Sequence, residues 1–487
     1  MRIKKINISH SIFIGRKTEL ERLEALSKKK TASLVVVKGR RRIGKSRLIA
    51  EFAKKFNAHR FWSFAGLAPG DKISEQEQRD NFASQLASIL KIPLITFLDW
   101  TDAFEYLSLH IKQGDIILFD EISWMGSKDS SFIPKLKAWW DKQNTKILLV
   151  LCGSVSTWIE ENILKSTAFF GRIHLIISLE PLSIIESTKF LRAIGMNLSA
   201  YDMYKVLSIV GGVPWYLEQF HPTLTADDNI KQLAFEKNGL LVHEFDRIFH
   251  DLFNNKGATY KKILNSLKDG YKTLSEIRQN IEFANSGTLS QMMEHLIVAG
   301  FVIKQSLWSF KTKEPLKQSL YRISDPYMRF YLKVIEPNIS AIEEGGFDQT
   351  SLSSLSGFET HMGLQVEVLL LQNRHLLLQK LGLSPMDIIR SGPYRQKKTS
   401  TQQGCQIDYL IQTKTNGLFI CEFKFKRREI GNNIILEMQD KISKLKSPKG
   451  FAKIAVLFHL SGVTETVETN SYFYRIIDIT DFLEIKK

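Results

Sequence analysis

An eight-residue segment near the amino end of this 487-residue chain constrains its fold more than any other part of the sequence. Residues 39–46 read Gly-Arg-Arg-Arg-Ile-Gly-Lys-Ser, which fits the phosphate-binding pattern G-x-x-x-x-G-K-[ST]. An apolar run, residues 34–37, precedes the segment, and a helix-compatible stretch, residues 47–52, follows it. Between a strand and a helix, the loop N–H groups and the positive helix end can surround phosphate oxygens. The sequence therefore predicts a nucleoside triphosphate site rather than a chance glycine-rich loop.

Two side chains of this segment have defined roles toward a bound nucleotide. We expect Lys45 to place its charge on the β- and γ-phosphates and Ser46 to offer its hydroxyl to Mg²⁺. The predicted cofactors are therefore ATP and Mg²⁺. The whole loop is expected to line the nucleotide: Gly39, Arg40, Arg41, Arg42, Ile43, Gly44, Lys45, Ser46 and Arg47.

Two later apolar runs end in polar residues that suit the same site. Residues 115–119 lead into Asp120, which fits a holder of the Mg²⁺ hydration shell, and Glu121, which fits the base for the attacking water. The alternative is a core strand that ends in an acidic turn. Residues 146–153 lead to Ser154, a candidate sensor of the γ-phosphate, although serine at a strand end is also a common helix cap.

The patterning predicts an α/β fold with several domains. Continuous apolar strands alternate with helices to about residue 180, which is typical of a doubly wound parallel sheet. The predicted domains are a P-loop ATPase core (1–180), a helical lid (181–255), a winged helix (256–335), a linker (336–356) and a C-terminal α/β domain (357–487). The winged-helix segment is basic, but its third helix carries only Glu294 and His295 as ionisable groups. Contact with DNA and packing against the ATPase therefore both stay open for it.

Net charge, apolar runs and cysteine content indicate which binding partners and which cellular compartment to expect. A formal net charge of +16 favours anionic partners, nucleic acid above all. The chain has no run of eighteen apolar residues and no apolar core after its charged N-terminus, so neither a membrane span nor a secretory signal is expected. Three cysteines without paired spacing argue against a zinc site and favour a reducing cytoplasm.

A second group of charged residues lies in the C-terminal domain. Asp408 and Glu422 fall in two strands joined by a predicted turn at 415–417, and Lys424 shares a face with Glu422. Upstream, Glu359 and Glu367 are eight apart on a predicted helix, and either is a candidate third carboxylate. Such a cluster would hold Mg²⁺ against a phosphodiester while the lysine stabilises the developing charge. The alternative is an ion pair on a strand face.

Two family resemblances follow from these residues. Residues 12 to about 335 resemble prokaryotic ATPases of the STAND branch of the AAA+ superfamily, on the phosphate loop, the Asp120–Glu121 strand end, Phe13-Ile14-Gly15-Arg16 and Gly212-Val213-Pro214. The resemblance implies that Arg172 senses phosphate, although a surface contact is an alternative for this residue. It also implies that the segment around Pro214 packs near the nucleotide.

Residues 357 to 460 resemble the PD-(D/E)XK nuclease superfamily. Asp408 and the run Glu422-Phe423-Lys424 match its catalytic strands, Glu359 best fits its first-helix acid, and Gln439 matches a polar residue of the next helix. The resemblance implies Mg²⁺ at Glu359, Asp408 and Glu422. The chain departs from the family at Gln406, where an acidic residue is common.

The function expected from the sequence is an ATPase whose nucleotide state controls a DNA-binding and DNA-cleaving C-terminal domain. A regulatory ATPase switch without nuclease activity is the alternative, and an ATPase that remodels proteins is a third class. The expected partners are ATP, DNA and other copies of the chain, without a membrane.

Overall fold

The computed structural model describes residues 12–484, except 57, 69, 71–72, 155–156, 254–256, 284–285, 309, 311–317 and 348–349. The charged N-terminal segment of the sequence analysis lies outside the described residues. The chain forms two compact units. The first runs to Pro181 and includes 248–254 and 292–300, and the second holds 182–247, 255–291 and the chain from Phe301 onward.

The first unit is built around a five-stranded sheet. Up to residue 181 the helices and strands are α1 (Lys17–Ser27), β1 (Ser33–Gly39), α2 (Lys45–Lys55), β2 (Phe61–Ala65), α3 (Glu75–Leu90), α4 (Trp100–Ser108), β3 (Ile116–Asp120), α5 (Ile122–Met125), α6 (Phe132–Asp141), β4 (Leu148–Ser154), α7 (Thr157–Ile159) and β5 (Ile173–Leu179). Its strand order is β2-β3-β4-β1-β5, and every neighbouring pair is parallel. The predicted α/β fold with a parallel sheet is therefore confirmed.

Apolar sequence runs explain why this sheet forms. Residues 34–37 of β1 and Leu149 of β4 are fully buried, as expected of central strands covered on both faces. The predicted helix after residue 16 is also present as α1, and its buried residues Leu20, Leu23 and Leu26 recur at the spacing of one helix face. Because parallel strands place their carboxyl ends along one edge, the ends of β1, β3 and β4 lie side by side.

The second unit combines helices with two sheets. From residue 182 to 356 the chain forms α8 (Ile184–Ala193), α9 (Ala200–Val210), α10 (Pro214–Leu217), α11 (Ala226–Ala234), α12 (Leu240–Phe253), α13 (Gly257–Leu267), β6 (Lys272–Thr273), α14 (Leu274–Asn280), α15 (Ser286–Val298), β7 (Val302–Ser306), β8 (Ser319–Ile323), α16 (Pro326–Phe330) and α17 (Ile339–Glu343). Helices α12 and α15 contain residues of both units. Strands β6, β8 and β7 form a small antiparallel sheet in that order.

The C-terminal part of the second unit carries a mixed sheet. It consists of α18 (Phe358–Gln372), α19 (Arg374–Leu381), β9 (Ile388–Gln396), β10 (Cys405–Thr413), β11 (Gly417–Lys424), α20 (Asn433–Lys444), β12 (Ala452–His459), α21 (Glu465–Thr469) and β13 (Arg475–Asp478). The strand order is β13-β12-β11-β10-β9, with β9, β10 and β11 antiparallel and the rest parallel. The predicted hairpin between β10 and β11 is confirmed, and Asn416 in its turn has a left-handed φ of 58°.

The segment predicted as a linker is folded instead. Ile342 in α17 is fully buried, and Leu352 is 2% exposed. The ring of Phe347 lies 5.0 Å from that of Phe235. Serine, glycine and acidic residues suggested an open connection, but the apolar residues between them pack into the second unit and order the backbone. The other domain boundaries of the sequence analysis stay predictions.

Candidate functional site

The phosphate loop connects β1 to α2 as its sequence requires. Gly44 caps α2 with a left-handed φ of 89°, and the helix begins at Lys45. At the other end of the loop, a Cβ on Gly39 would lie 2.8 Å from the carbonyl oxygen of Leu179, so a larger residue would separate β1 from β5. The two glycines therefore serve different purposes, one for backbone conformation and one for close strand packing. The positive end of α2 faces the loop, as anion binding needs.

The sheet order brings the other predicted residues to this loop. Strand β4 lies between β1 and β3, and Ser154 pairs with Gly39 in the parallel register. Across the same edge, Ser46 Oγ donates a hydrogen bond to Asp120 Oδ2 at 2.5 Å. A hydroxyl and a carboxylate that converge in this way are oxygen ligands of the kind Mg²⁺ prefers. The chemistry of these donors fits a nucleotide-bound Mg²⁺.

Ser154 connects the predicted lysine to the predicted base. Lys45 Nζ lies 3.5 Å from Ser154 Oγ and also donates to the carbonyl oxygen of Arg40 at 3.3 Å. The Glu121 carboxylate accepts from Ser154 Oγ at 3.4 Å and from Ser154 N–H at 3.3 Å. Glu121 has a left-handed backbone, with φ 48° and ψ 50°, which is uncommon for a residue with a side chain. This backbone and the two bonds hold its carboxylate at the strand edge.

Arg172 is not brought together with the phosphate loop. It directly precedes β5, and β5 runs parallel to β1, so Arg172 lies near the start of β1 whereas the loop follows its end. Its guanidinium pairs with Asp141 through contacts of 2.5 and 3.1 Å. These bonds hold the pKa of Asp141 at about 2. The alternative of a surface contact is therefore present for Arg172, and its role as a phosphate sensor stays a prediction.

The Gly212-Val213-Pro214 motif lies in the second unit. Pro214 is the first residue of α10, where a missing N–H and a fixed φ suit a helix start. The carbonyl oxygen of Gly212 accepts from Leu182 N–H at 2.7 Å, and a Cβ on Gly212 would meet the Leu182 oxygen at 2.0 Å. The motif therefore joins the start of this unit to its helices by direct backbone contact. A nucleotide contact of Pro214 stays a prediction.

The C-terminal charged residues form a compact cluster. Glu422 is 4% exposed and pairs with Lys424 at 3.1 Å and with Lys441 of α20. Asp408 lies next to an irregularity in the β9–β10 register and accepts a bond from Phe423 N–H at 3.0 Å. The predicted proximity of Asp408, Glu422 and Lys424 is consistent with these contacts. Lys441 was missed because no local pattern links a residue of α20 to β11.

Of the two candidate carboxylates on α18, Glu367 rather than Glu359 is electrostatically coupled to Asp408. Glu359 accepts from Tyr201 Oη at 3.1 Å and lies 3.7 Å from Arg427, with half of its side chain exposed. Glu367 has a side-chain exposure of 16%, lies 3.9 Å from Arg322 and is electrostatically coupled to Asp408. The Mg²⁺ ligand role predicted for Glu359 is therefore not supported, because its carboxylate is held by Tyr201 of α9 and by Arg427, which follows β11. Gln439 is likewise exposed and lies outside the cluster.

This cluster does not fit a metal site. No three His, Cys, Asp or Glu side chains in the described ranges are grouped closely enough to hold a metal ion. The carboxylate of Glu422 already has two ammonium partners, and Asp408 already accepts a backbone bond. The charges in the cluster therefore balance one another through ion pairs, as buried charges require. The Mg²⁺ predicted at Glu359, Asp408 and Glu422 has no complete ligand set here.

Burial raises the pKa of two of these carboxyl groups, so both are weaker acids than usual. Burial, and then the charge of Asp408, raises the pKa of Glu367 to about 7, and burial with Glu422 raises the pKa of Asp408 to about 6. A carboxyl group with a raised pKa in the folded state takes up protons on folding. Its stabilising contribution is complete below the unfolded pKa near 4 and is lost as the pH rises through the folded pKa.

We expect Glu367→Gln to flatten the pH dependence of unfolding between pH 4.5 and 8. The free energy of unfolding of the parent should fall over this range, with a contribution on the order of 2 kcal/mol from Glu367. Urea unfolding at several pH values measures this slope. The control is Glu437→Gln, because Lys424 lowers the pKa of Glu437, which contributes stability at high pH instead. An unchanged slope in Glu367→Gln would contradict the burial of this carboxyl.

Comparison with known proteins agrees with the first site. Residues 13–220 match a family described as an ATPase domain predominantly from Archaea. An uncharacterized protein of Methanocaldococcus jannaschii, MJECL04, is 27% identical over 348 residues, which cover 69% of this chain and 72% of that protein.

Two solved structures show weaker similarity. The Aeropyrum pernix ORC2 protein has a TM-score of 0.41 at 12% identity and covers 68% of this chain and 97% of its own. The Thermotoga maritima RuvB Holliday junction branch migration motor has a TM-score of 0.35 at 15% identity and covers 60% and 90%. Both TM-scores are too low to assign a function to this chain.

No helix in the part of the chain that the structure describes has the length and apolar character needed to span a bilayer. The assignment of the first site as an ATP site depends on the matched family, on the phosphate loop and on the side chains around that loop. Together these support a P-loop ATPase in residues 13–220.

Proposed function

We propose that the chain is a STAND-type AAA+ ATPase that hydrolyses ATP at the edge formed by β1, β3 and β4. The observation that carries the proposal is the convergence of Lys45, Ser46, Asp120 and Glu121 at one strand edge. The loop N–H groups and Lys45 would bind the β- and γ-phosphates. Glu121 would accept the proton of the attacking water, with Ser154 fixing its carboxylate.

Ser46 and Asp120 would hold the Mg²⁺ that accompanies the nucleotide. A bound Mg²⁺ would neutralise charge on the β- and γ-phosphate oxygens. Asp120 Oδ1 accepts from Glu121 N–H at 3.1 Å, so the two acidic residues keep a fixed relative position. In this arrangement Asp120 would serve the metal ion, and Glu121 would serve the attacking water.

We propose that the nucleotide state is passed to the C-terminal domain through residues 182–220. These residues belong to the matched ATPase family but are part of the second unit. There, Tyr204 Oη donates to the carbonyl oxygen of Ile479 at 2.7 Å, and Ile184 N–H donates to Asn373 Oδ1 at 3.1 Å. Tyr201 stacks on Phe425 with ring centroids 5.2 Å apart. A movement of 182–220 would therefore move the C-terminal domain with it.

The proposed partner of the second unit is DNA. Residues 388–453 contain fourteen lysines and arginines but only five acidic residues, which is a strong bias toward a polyanion. In our proposal the nuclease-like sheet presents this charge, and the segment 256–335 acts as a winged helix. The order of α13, β6, α14, α15, β7 and β8 supports that interpretation.

Lys45→Ala is expected to abolish saturable ATP binding, because the charge that faces the β- and γ-phosphates is removed. Nucleotide-dependent changes in DNA affinity should disappear in the same variant. Calorimetry measures the first effect, and fluorescence anisotropy of labelled DNA with ADP or a nonhydrolysable ATP analogue measures the second. Lys54→Ala is the control, because Lys54 is an exposed residue of the same helix. Normal ATP binding in Lys45→Ala would overturn the proposal.

The neutralised cluster favours DNA binding without cleavage. With Glu422 paired to two lysines and Glu359 bonded to Tyr201, we expect no cleavage of plasmid DNA by the full chain with Mg²⁺ or Mn²⁺. Gel analysis of supercoiled plasmid measures this. The same assay with Asp408→Ala and Lys424→Ala provides the comparison. Cleavage by the parent that is lost in both variants would show that the cluster is a nuclease site after all.

A further inference from the structure

A cavity of about 220 Å³ in the second unit is lined by buried cationic side chains. Arg322 at the end of β8 and Arg329 of α16 are 5% and 2% exposed. Tyr271 precedes β6 and has a buried hydroxyl. Asp408 and Glu367 line the same cavity. Residues of β8, α16, α18, β9 and β10 thus line one polar space next to the carboxylate cluster.

The donors of this cavity are not satisfied by the protein. Among the described residues, Arg322 Nε and Nη1, Arg329 Nε and the Tyr271 hydroxyl have no hydrogen-bond partner. Arg322 lies 3.9 Å from Glu367, which is too long for a hydrogen bond. Arg329 uses its other nitrogens, bonding to Gln365 and, at 2.8 Å, to the carbonyl oxygen of Ile323. Buried polar groups are almost always paired, so several unpaired donors in one cavity indicate an absent acceptor.

The charge of the cavity also favours an anion. Lys272, Arg322, Arg329 and Arg395 line it, against Asp269, Glu367 and Asp408. Asp269 is paired with Lys333 at 2.9 Å. Burial and the neighbouring Arg322 lower the pKa of Arg329 to about 10, because two buried guanidinium groups close together repel each other. A dianion would balance them.

We propose that this cavity binds a phosphate monoester, held by Arg322, Arg329 and Tyr271. Guanidinium groups bind phosphate oxygens through paired N–H donors, and the tyrosine hydroxyl can donate to another oxygen. A monoester suits two buried guanidinium groups because it ends in a doubly charged group, whereas an internal phosphodiester carries a single charge. The group could come from the end of a nucleic-acid strand or from free phosphate. The inference deepens the proposed contact of the second unit with DNA, and it requires neither ATP binding nor hydrolysis.

The experiment uses the full chain carrying Lys45→Ala, so that the phosphate loop does not contribute. The probes are a short DNA strand with a 5′-phosphate, the same strand with a 5′-hydroxyl, and inorganic phosphate. We expect the phosphorylated strand to bind at least about tenfold more tightly than the hydroxyl strand, and inorganic phosphate to compete with it. Arg322→Gln should remove this preference, and Tyr271→Phe should reduce it about threefold.

Two variants keep the result interpretable. Tyr271→Phe removes only an unpartnered buried hydroxyl, so it should fold even if Arg322→Gln does not. Arg192→Gln is the matched control, because Arg192 is an exposed arginine of the same unit paired with Glu484. Binding of inorganic phosphate alone, if weakened by Arg322→Gln or Tyr271→Phe, would support the pocket with free phosphate as its ligand. Equal affinities for every probe in the parent, Arg322→Gln and Tyr271→Phe would overturn it.

Discussion

Replacing Glu121 with glutamine is expected to lower the ATP hydrolysis rate by about 10²- to 10⁴-fold while ATP affinity changes by less than about twofold. Glutamine keeps the size of the side chain and an oxygen that can accept from Ser154, so the loop and the bound phosphates should not be disturbed. It cannot take a proton from water, so only the chemical step should be affected. Single-turnover phosphate release and equilibrium ATP binding separate the two effects.

The control for this experiment is Glu105→Gln. Glu105 is an exposed acidic residue of α4 in the same unit, with a weak pairing to Lys142 at 3.8 Å. Its replacement should leave both hydrolysis and affinity at the parent values. A parent-like hydrolysis rate in Glu121→Gln would show that the base lies elsewhere at this strand edge, even if nucleotide binding were normal.

Gly212→Ala is expected to destabilise the second unit by about 3 kcal/mol or more. The added Cβ would lie 2.0 Å from the carbonyl oxygen of Leu182 and 2.8 Å from its nitrogen. Both are backbone atoms, and Leu182 N–H is also bonded to the carbonyl oxygen of Gly212. The two segments would have to separate and lose this bond. Urea unfolding, followed by the fluorescence of Trp215 close in sequence, measures the loss.

Gly363→Ala is the matched control, because it makes the same glycine-to-alanine change at a position where the added Cβ has room. Gly363 lies within α18 of the same unit, and a Cβ there would have no atom within 4 Å. Because alanine is a better helix former than glycine, this change should raise the free energy of unfolding by up to about 1 kcal/mol. If both variants showed the same stability, the close approach of Gly212 to Leu182 would be incorrect.

The parts of the fold that could be predicted depend on neighbouring residues in the sequence. The phosphate loop needs two glycines, a lysine and a serine within eight positions, and its strand and helix adjoin it. The hairpin at 415–417 depends on a short turn between two apolar strands. Asp120, Glu121 and Ser154 could be placed beside the loop because parallel strands end at one edge of a sheet.

Predictions that needed a choice between distant partners were less successful. Glu359 and Glu367 differ by about 80° around a helix, so spacing alone could not decide which faces the strands. That choice depends on which neighbours α18 packs against, and Tyr201 and Arg427 contact Glu359. Similarly, the position of Arg172 depends on the direction of β5 relative to β1, which its own motif does not contain.

The sequence by itself determined the nucleotide-binding loop and the residues offered to it, because that chemistry is local and its spacing is set by backbone geometry. Only the tertiary structure decided the arrangement of charges in the second unit. Arg322, Arg329 and Tyr271 come from separate elements, and no short pattern relates them to Asp408. Their burial in one cavity results from the packing of α16, α18 and two sheets. The energy of a buried charge depends on all its neighbours in space, and therefore on contacts that a linear motif does not record.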